Sequence, residues 1–167
     1  MTRYYYAGGQ RIALEPDDRY VAVDEKAADA AGVPVDAAAG QAPTRRLPGG
    51  VIVSPRSSLR QAELTRLSQA GALRPVYRRD RSILVPLAEI RVEYDNAKQR
   101  AAVKAAIPKA PCEAEVSDES ADGLMLRPTS GRSEDALALA NYIFEKAHPA
   151  AASVRFVQFV PKMTVQR

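Results

Sequence analysis

The sequence predicts an α+β protein whose C-terminal half is a β-α-β-β-α-β antiparallel sandwich, and three observations carry that prediction. Glu89 to Tyr94 alternates, with Ile90, Val92 and Tyr94 on one face and Glu89, Arg91 and Glu93 on the other, as in a half-buried strand. Ser133 to Ala147 places Leu137, Leu139, Ala140, Ile143 and Phe144 in one wide stripe at helical spacing. Cys112–Val116 and Gly123–Arg127 flank the acidic segment Ser117 to Asp122, which reads as a hairpin turn.

The first segment reads as a small hairpin or meander. Tyr4-Tyr5-Tyr6 and Arg11–Leu14 flank Gly8-Gly9, and Pro16-Asp17-Asp18 turns the chain into Arg19–Val23. Residues 26–48 are rich in Ala, Gly and Pro without a sustained period, and are expected as a loop holding at most one helical turn. Val51-Ile52-Val53 reads as a buried strand. A Ser58-x-x-Gln61 capping box then opens a helix from about Leu59 to Ala70, stopped by Gly71. Pro75-Val76-Tyr77 and Ile83-Leu84-Val85 form a second hairpin around the basic turn Arg78-Arg79-Asp80-Arg81. Residues 1–87 are accordingly expected as an N-terminal α+β subdomain.

In the C-terminal half, Asp95 or Asn96 caps a helix from Ala97 to Ile107, ended by Pro108. Ser133 is expected to cap the last helix, with Glu134 and Asp135 in its first turn and Lys146 and His148 near its end, each sign suited to the helix dipole. Ser153–Val160 is the final strand. The element order is that of the ferredoxin-like split unit over residues 88–161, followed by a tail, 162–167. Such a unit packs both helices on one sheet face and leaves the other to be polar, covered by the rest of the chain, or used for binding.

Hydrophobic residues make up 46% of the 167 and charged residues 26%, the balance of a globular protein that buries a core. The formal charge of +4 suits a solvated basic surface. One Cys and one His exclude an internal disulfide and a four-ligand zinc site of the usual kind, and no cofactor is expected. The N-terminus lacks the apolar run of a secretory signal and no stretch approaches a membrane span, so cytoplasmic residence is the default expectation.

No catalytic constellation stands out, and the chain is read as a non-enzyme. His148 sits at a helix C-terminus, where its charge suits the dipole, and Cys112 reads as a small core residue. Gly8-Gly9 and Gly49-Gly50 are turn signals rather than phosphate or dinucleotide loops. Asp17-Asp18 and Asp118-Glu119 are expected in turns as solvated carboxylates, and Arg78 to Arg81 as a solvated basic turn. Nucleic-acid binding is disfavoured because Gly123-Leu124-Met125-Leu126-Arg127 offers no aromatic for base stacking.

Ala136-Leu137-Ala138-Leu139-Ala140-Asn141, followed by Val154-Arg155-Phe156-Val157, resembles the N-terminal propeptides of subtilisin-like proteases. Tyr5 to Leu14, Val21-Ala22-Val23 and Arg74-Pro75-Val76-Tyr77 are similar to the longer propeptides of fervidolysin-type bacterial subtilases. The chain departs from that pattern where Arg155, Gln158 and Phe159 replace acidic residues, with a Pro only at Pro161. The resemblance implies an inhibitor or folding chaperone whose bare sheet face packs on a subtilisin-like serine protease, either as an excised prodomain or as a free-standing protein. It implies that the C-terminal segment, Phe159, Val160, Pro161, Lys162, Met163, Thr164, Val165, Gln166 and Arg167, lies in the substrate cleft as an added strand. The alternative is a regulatory or scaffold module that homodimerises through the sheet.

Overall fold

The computed structural model describes residues 3–33 and 44–161. In chain order the elements are β1 (Tyr4–Ala7), β2 (Gln10–Ala13), β3 (Glu15–Pro16), β4 (Tyr20–Asp24), α1 (Glu25–Ala30), β5 (Arg45–Leu47), β6 (Val51–Pro55), α2 (Gln61–Gln69), β7 (Leu73–Arg74), β8 (Tyr77–Arg79), β9 (Ser82–Glu93), α3 (Ala97–Ala106), β10 (Ala114–Glu119), β11 (Gly123–Pro128), α4 (Ser133–Ala147) and β12 (Ala151–Phe159). The fold is α+β with mostly antiparallel sheets. Two compact units are present: one joins the residues up to Leu14 with Pro86–Phe156, the other joins Glu15–Val85 with the residues from Val157. The sequence expectation drew boundaries at residues 87 and 161; the chain passes between the units after Leu14, Val85 and Phe156.

In the first unit β9 lies between β11 and β12, and β10 pairs with the far edge of β11. The β9–β11 register sets Ile90 opposite Leu126 and Val92 opposite Leu124, so four buried aliphatic side chains share one face. Helix α4 packs on β11 and α3 and buries Leu137, Leu139, Ala140 and Ile143. Gly123 is needed where β11 meets β9, because a Cβ there would collide with the carbonyl oxygen of Val92. Tyr94 closes this corner: its hydroxyl donates to the Ser120 and Gly123 carbonyls at 3.2 and 3.3 Å.

Local signals moved in several places. Asn96 is the α3 cap, its Oδ1 accepting from Gln99 N at 2.9 Å, and α3 ends at Ala106 in a 3-10 turn, Ile107–Lys109. Strand β10 begins at Ala114 and continues to Glu119, into the expected acidic turn, and its ladder with β11 shifts register at a bulge between Val116 and Asp118. Ser133 is the first residue of α4 rather than its cap, and it is buried. Ser130 takes over at that end, receiving Arg132 N at 3.2 Å and donating to Asp135 Oδ2 at 2.6 Å. His148 ends α4 in the left-handed region at φ 48°, its N–H donating to Phe144 O.

The N-terminal hairpin β1–β2 belongs to this unit. Gly8 and Gly9 both have positive φ, 56° and 76°, as a two-residue turn between Ala7 and Gln10 requires. β1 lies on α4, with Tyr6 stacked on Phe144 at 4.4 Å between centroids and Tyr5 edge-on to Phe156 at 5.0 Å.

The second unit has a four-stranded sheet in the order β5-β6-β4-β7, with a core of Val21, Val23, Ile52, Leu64, Leu67 and their neighbours. The expected loop at 26–48 opens with a helix: Asp24 Oδ1 caps α1 by accepting from Ala27 N at 3.0 Å. Helix α2 starts at Gln61, two residues later than expected. Ser58 lies in a 3-10 turn and donates to Pro55 O at 2.7 Å, while Glu63 reaches back to Arg60 N at 3.2 Å. Only the reverse half of a capping box forms, two positions along, because the Arg60 side chain has no acceptor to offer the Glu63 N–H. Strand β8 pairs with Ser82–Leu84 of β9 on one side and β3 on the other.

Candidate protein-binding surfaces

The sheet of the first unit has one face covered by helices and one carrying charge. Glu89, Arg91 and Glu93 of β9 alternate away from Ile90 and Val92, and the register sets Met125 opposite Arg91. These charges are paired on the face itself: Glu89 meets Arg155 at 3.2 Å and Arg127 at 3.9 Å, and Arg91 meets Glu93 at 3.1 Å. Of the three fates open to a bare face, this one is polar. A depression of about 690 Å³ at one end is bordered by Glu93, Asp95, Asp118 and Asp122, with Met125 among its lining.

Val160 and Pro161, after the last strand, border a cleft of about 630 Å³ in the second unit. Its apolar lining is Tyr20, Ile83, Val160 and Pro161, and its charged lining is Arg19, Arg78, Asp80 and Arg81. Phe159, the last residue of β12, is anchored: its ring stands edge-on to Tyr20 at 6.0 Å, and the Arg45 guanidinium lies over it at 5.5 Å. Val160 is 58% exposed, one of two large apolar side chains so displayed among the described residues. Lys162 to Arg167 of the expected binding segment lie outside the described residues.

The basic cluster is built by a tight hairpin, since Arg79 pairs with Ser82 and only Asp80 and Arg81 form the loop. Asp80 takes φ 54°, a conformation that its short polar side chain tolerates better than a bulky one. Arg78 and Arg79 thus lie in strand β8 rather than in the turn. Arg78 meets Glu15 at 2.9 Å across the β3–β8 pair.

Asp17 overturns the expectation of a solvated carboxylate. Its side chain is 2% exposed, and Arg19 donates to it from N, Nε and Nη2 at 3.0, 3.0 and 2.8 Å. Those bonds hold its carboxyl below the ordinary Asp range. The same pairing orients Arg19, whose guanidinium lies 5.6 Å from the Tyr20 ring centroid. Glu119 is exposed but also ion-paired, with Lys104 at 2.6 Å and Arg100 at 3.1 Å, and the Lys104 bond chiefly lowers its pKa.

The other singled-out residues have local roles. Cys112 precedes β10 half-buried, and burial, aided by the Asp135 charge, pushes its thiol pKa up, away from the thiolate form that reacts. Asn141, the last residue of the Ala136–Asn141 pattern, is 3% exposed and donates from Nδ2 to Tyr4 O at 2.8 Å. Asn141 carries no sequence signal for its role beyond its polarity amid apolar neighbours, and Asp17, in a charged stretch beside Asp18 and Arg19, carries none. No group of His, Cys, Asp and Glu suited to hold a metal occurs among the described residues, and none of their helices is long and apolar enough to cross a membrane. No family model, no curated protein and no solved structure matches the chain.

Proposed function

We propose that this protein is a non-catalytic binding partner of a subtilisin-like serine protease, acting as an inhibitor or folding chaperone, and that its first unit is a ferredoxin-like sandwich. The observation that carries the reading is the strand order β12-β9-β11-β10, with buried aliphatic residues toward the helices and Glu89, Arg91, Arg127 and Arg155 on the other face. That order suits the ferredoxin-like unit. In the proposed complex the charged face packs on the protease, while the chain after Pro161 enters the substrate groove as an added strand. Main-chain hydrogen bonds supply affinity in this mode and alternate side chains supply specificity.

The test is inhibition of a panel of purified subtilisin-like proteases, followed with a chromogenic peptide. Saturable inhibition is expected for at least one member, together with a 1:1 complex in size-exclusion chromatography. Truncation after Pro161 is expected to weaken inhibition while complex formation through the sheet persists. Absence of both inhibition and complex across the panel defeats the proposal, and a stable homodimer whose formation needs Arg91 and Arg127 favours the scaffold alternative.

A further inference from the structure

The second unit contains thirteen Lys and Arg against nine Asp and Glu, while the first contains eleven of each, so the whole formal charge of +4 lies in the second. The same unit holds the cleft lined by Val160 and Pro161 together with Arg78 of β8 and Arg81 of its loop. We propose that this cleft is a docking site for a polypeptide segment in which carboxylate side chains alternate with aliphatic or aromatic ones. The carboxylates meet Arg19, Arg78 and Arg81, and the apolar side chains cover Ile83 and Val160. Asp17 and Glu15 are ion-paired with Arg19 and Arg78, and Asp80 stands in the same lining, which leaves Arg81 as the informative position for a test.

An acidic peptide fits better than a nucleic acid, the other polyanion a basic cleft attracts. Single strands are held largely by bases stacked on open aromatic faces. The aromatic ring in this lining belongs to Tyr20, which is engaged by the Arg19 guanidinium and by the edge contact with Phe159. The remaining lining is aliphatic, which suits peptide side chains. The inference concerns the charge class of the partner and stands whether or not that partner is a protease.

The experiment is fluorescence anisotropy of the full chain at low salt with three labelled probes: an octapeptide alternating Glu with Leu and Phe, the same peptide with Gln for every Glu, and an oligothymidine of matched length. Saturable binding of the Glu peptide is expected, with both other probes at least about tenfold weaker. Arg81→Glu, at an exposed loop position, is expected to weaken the Glu peptide by roughly tenfold without changing the circular dichroism spectrum. Val160→Ser is expected to weaken it severalfold. No saturable binding, equal binding of the Gln peptide, tighter binding of oligothymidine, or unchanged affinity in either variant would each overturn the proposal.

Discussion

Asn141 on α4 donates from its Nδ2 to the backbone carbonyl of Tyr4, 2.8 Å away and 137 positions earlier in the chain. The bond ties the N-terminal hairpin to α4, which buries more residues than α3, the other helix of that unit. Asn141→Ala removes the donor and leaves the half-buried Tyr4 carbonyl without it. A loss of about 1–3 kcal/mol is expected in urea-induced unfolding, and a change below about 0.5 kcal/mol would show that the bond contributes little to stability.

Glu145 Oε1 accepts from both Tyr4 and Tyr6 at 2.9 Å, and this hydrogen bonding raises the pKa of both phenols above 10.0. The folded state therefore holds these protons more tightly than the unfolded chain does. The associated stability is complete below pH 10 and declines as pH rises through the raised values. Ultraviolet titration of tyrosine ionisation should show Glu145→Ala moving part of the transition down toward pH 10. Superimposable curves for the two proteins would contradict the assignment.

Asp17 shows the opposite sign. Its folded pKa lies below the ordinary 3.8 because Arg19 bonds to the ionised form, so its stabilisation is present above pH 3.8 and lost as pH falls through the lowered value. Asp17→Asn keeps the shape but not the charge and is expected to cost about 1–3 kcal/mol at pH 7. The deficit should shrink below pH 3.8. A deficit that stays constant from pH 7 to pH 2 would remove the ion pair from the account.

Gly123→Ala drives a methyl group into the Val92 carbonyl oxygen, an atom of the backbone ladder that cannot rotate away. A loss of about 1–3 kcal/mol is expected from thermal unfolding, together with amide exchange quickened at Leu124 and Val92. Retention of wild-type stability would mean that the β9–β11 pair yields locally.

Elements whose signal lies within a dozen residues were readable in the chain. The alternation of Ile90, Val92 and Tyr94, the stripe of Leu137, Leu139 and Ile143 and the Gly8-Gly9 turn each encode a local period or a local φ requirement, and all three match the structure. Cap positions slipped by one to three residues at Arg60 and Ser133, because several neighbouring polar side chains compete for the same few N–H groups. The acidic segment at Ser117–Asp122 was misread since a bulge depends on the partner strand, which local composition does not describe.

For the candidate surfaces, the charged face of β9 could be written down from alternation alone, as could the basic cluster near Arg78. Which charges are spent on one another could not. Asp17 and Asp18 are adjacent acids with identical local signals, yet one is buried in the fork of Arg19 and the other is exposed. Residue order and side-chain chemistry decide periodicity, turns and the identity of strands and helices, because those are nearest-neighbour effects. The hairpin on α4, the burial of Asp17 and the cleft beside Val160 arise from groups brought together across tens of residues or more, and such meetings are settled by packing and loop closure in the assembled chain.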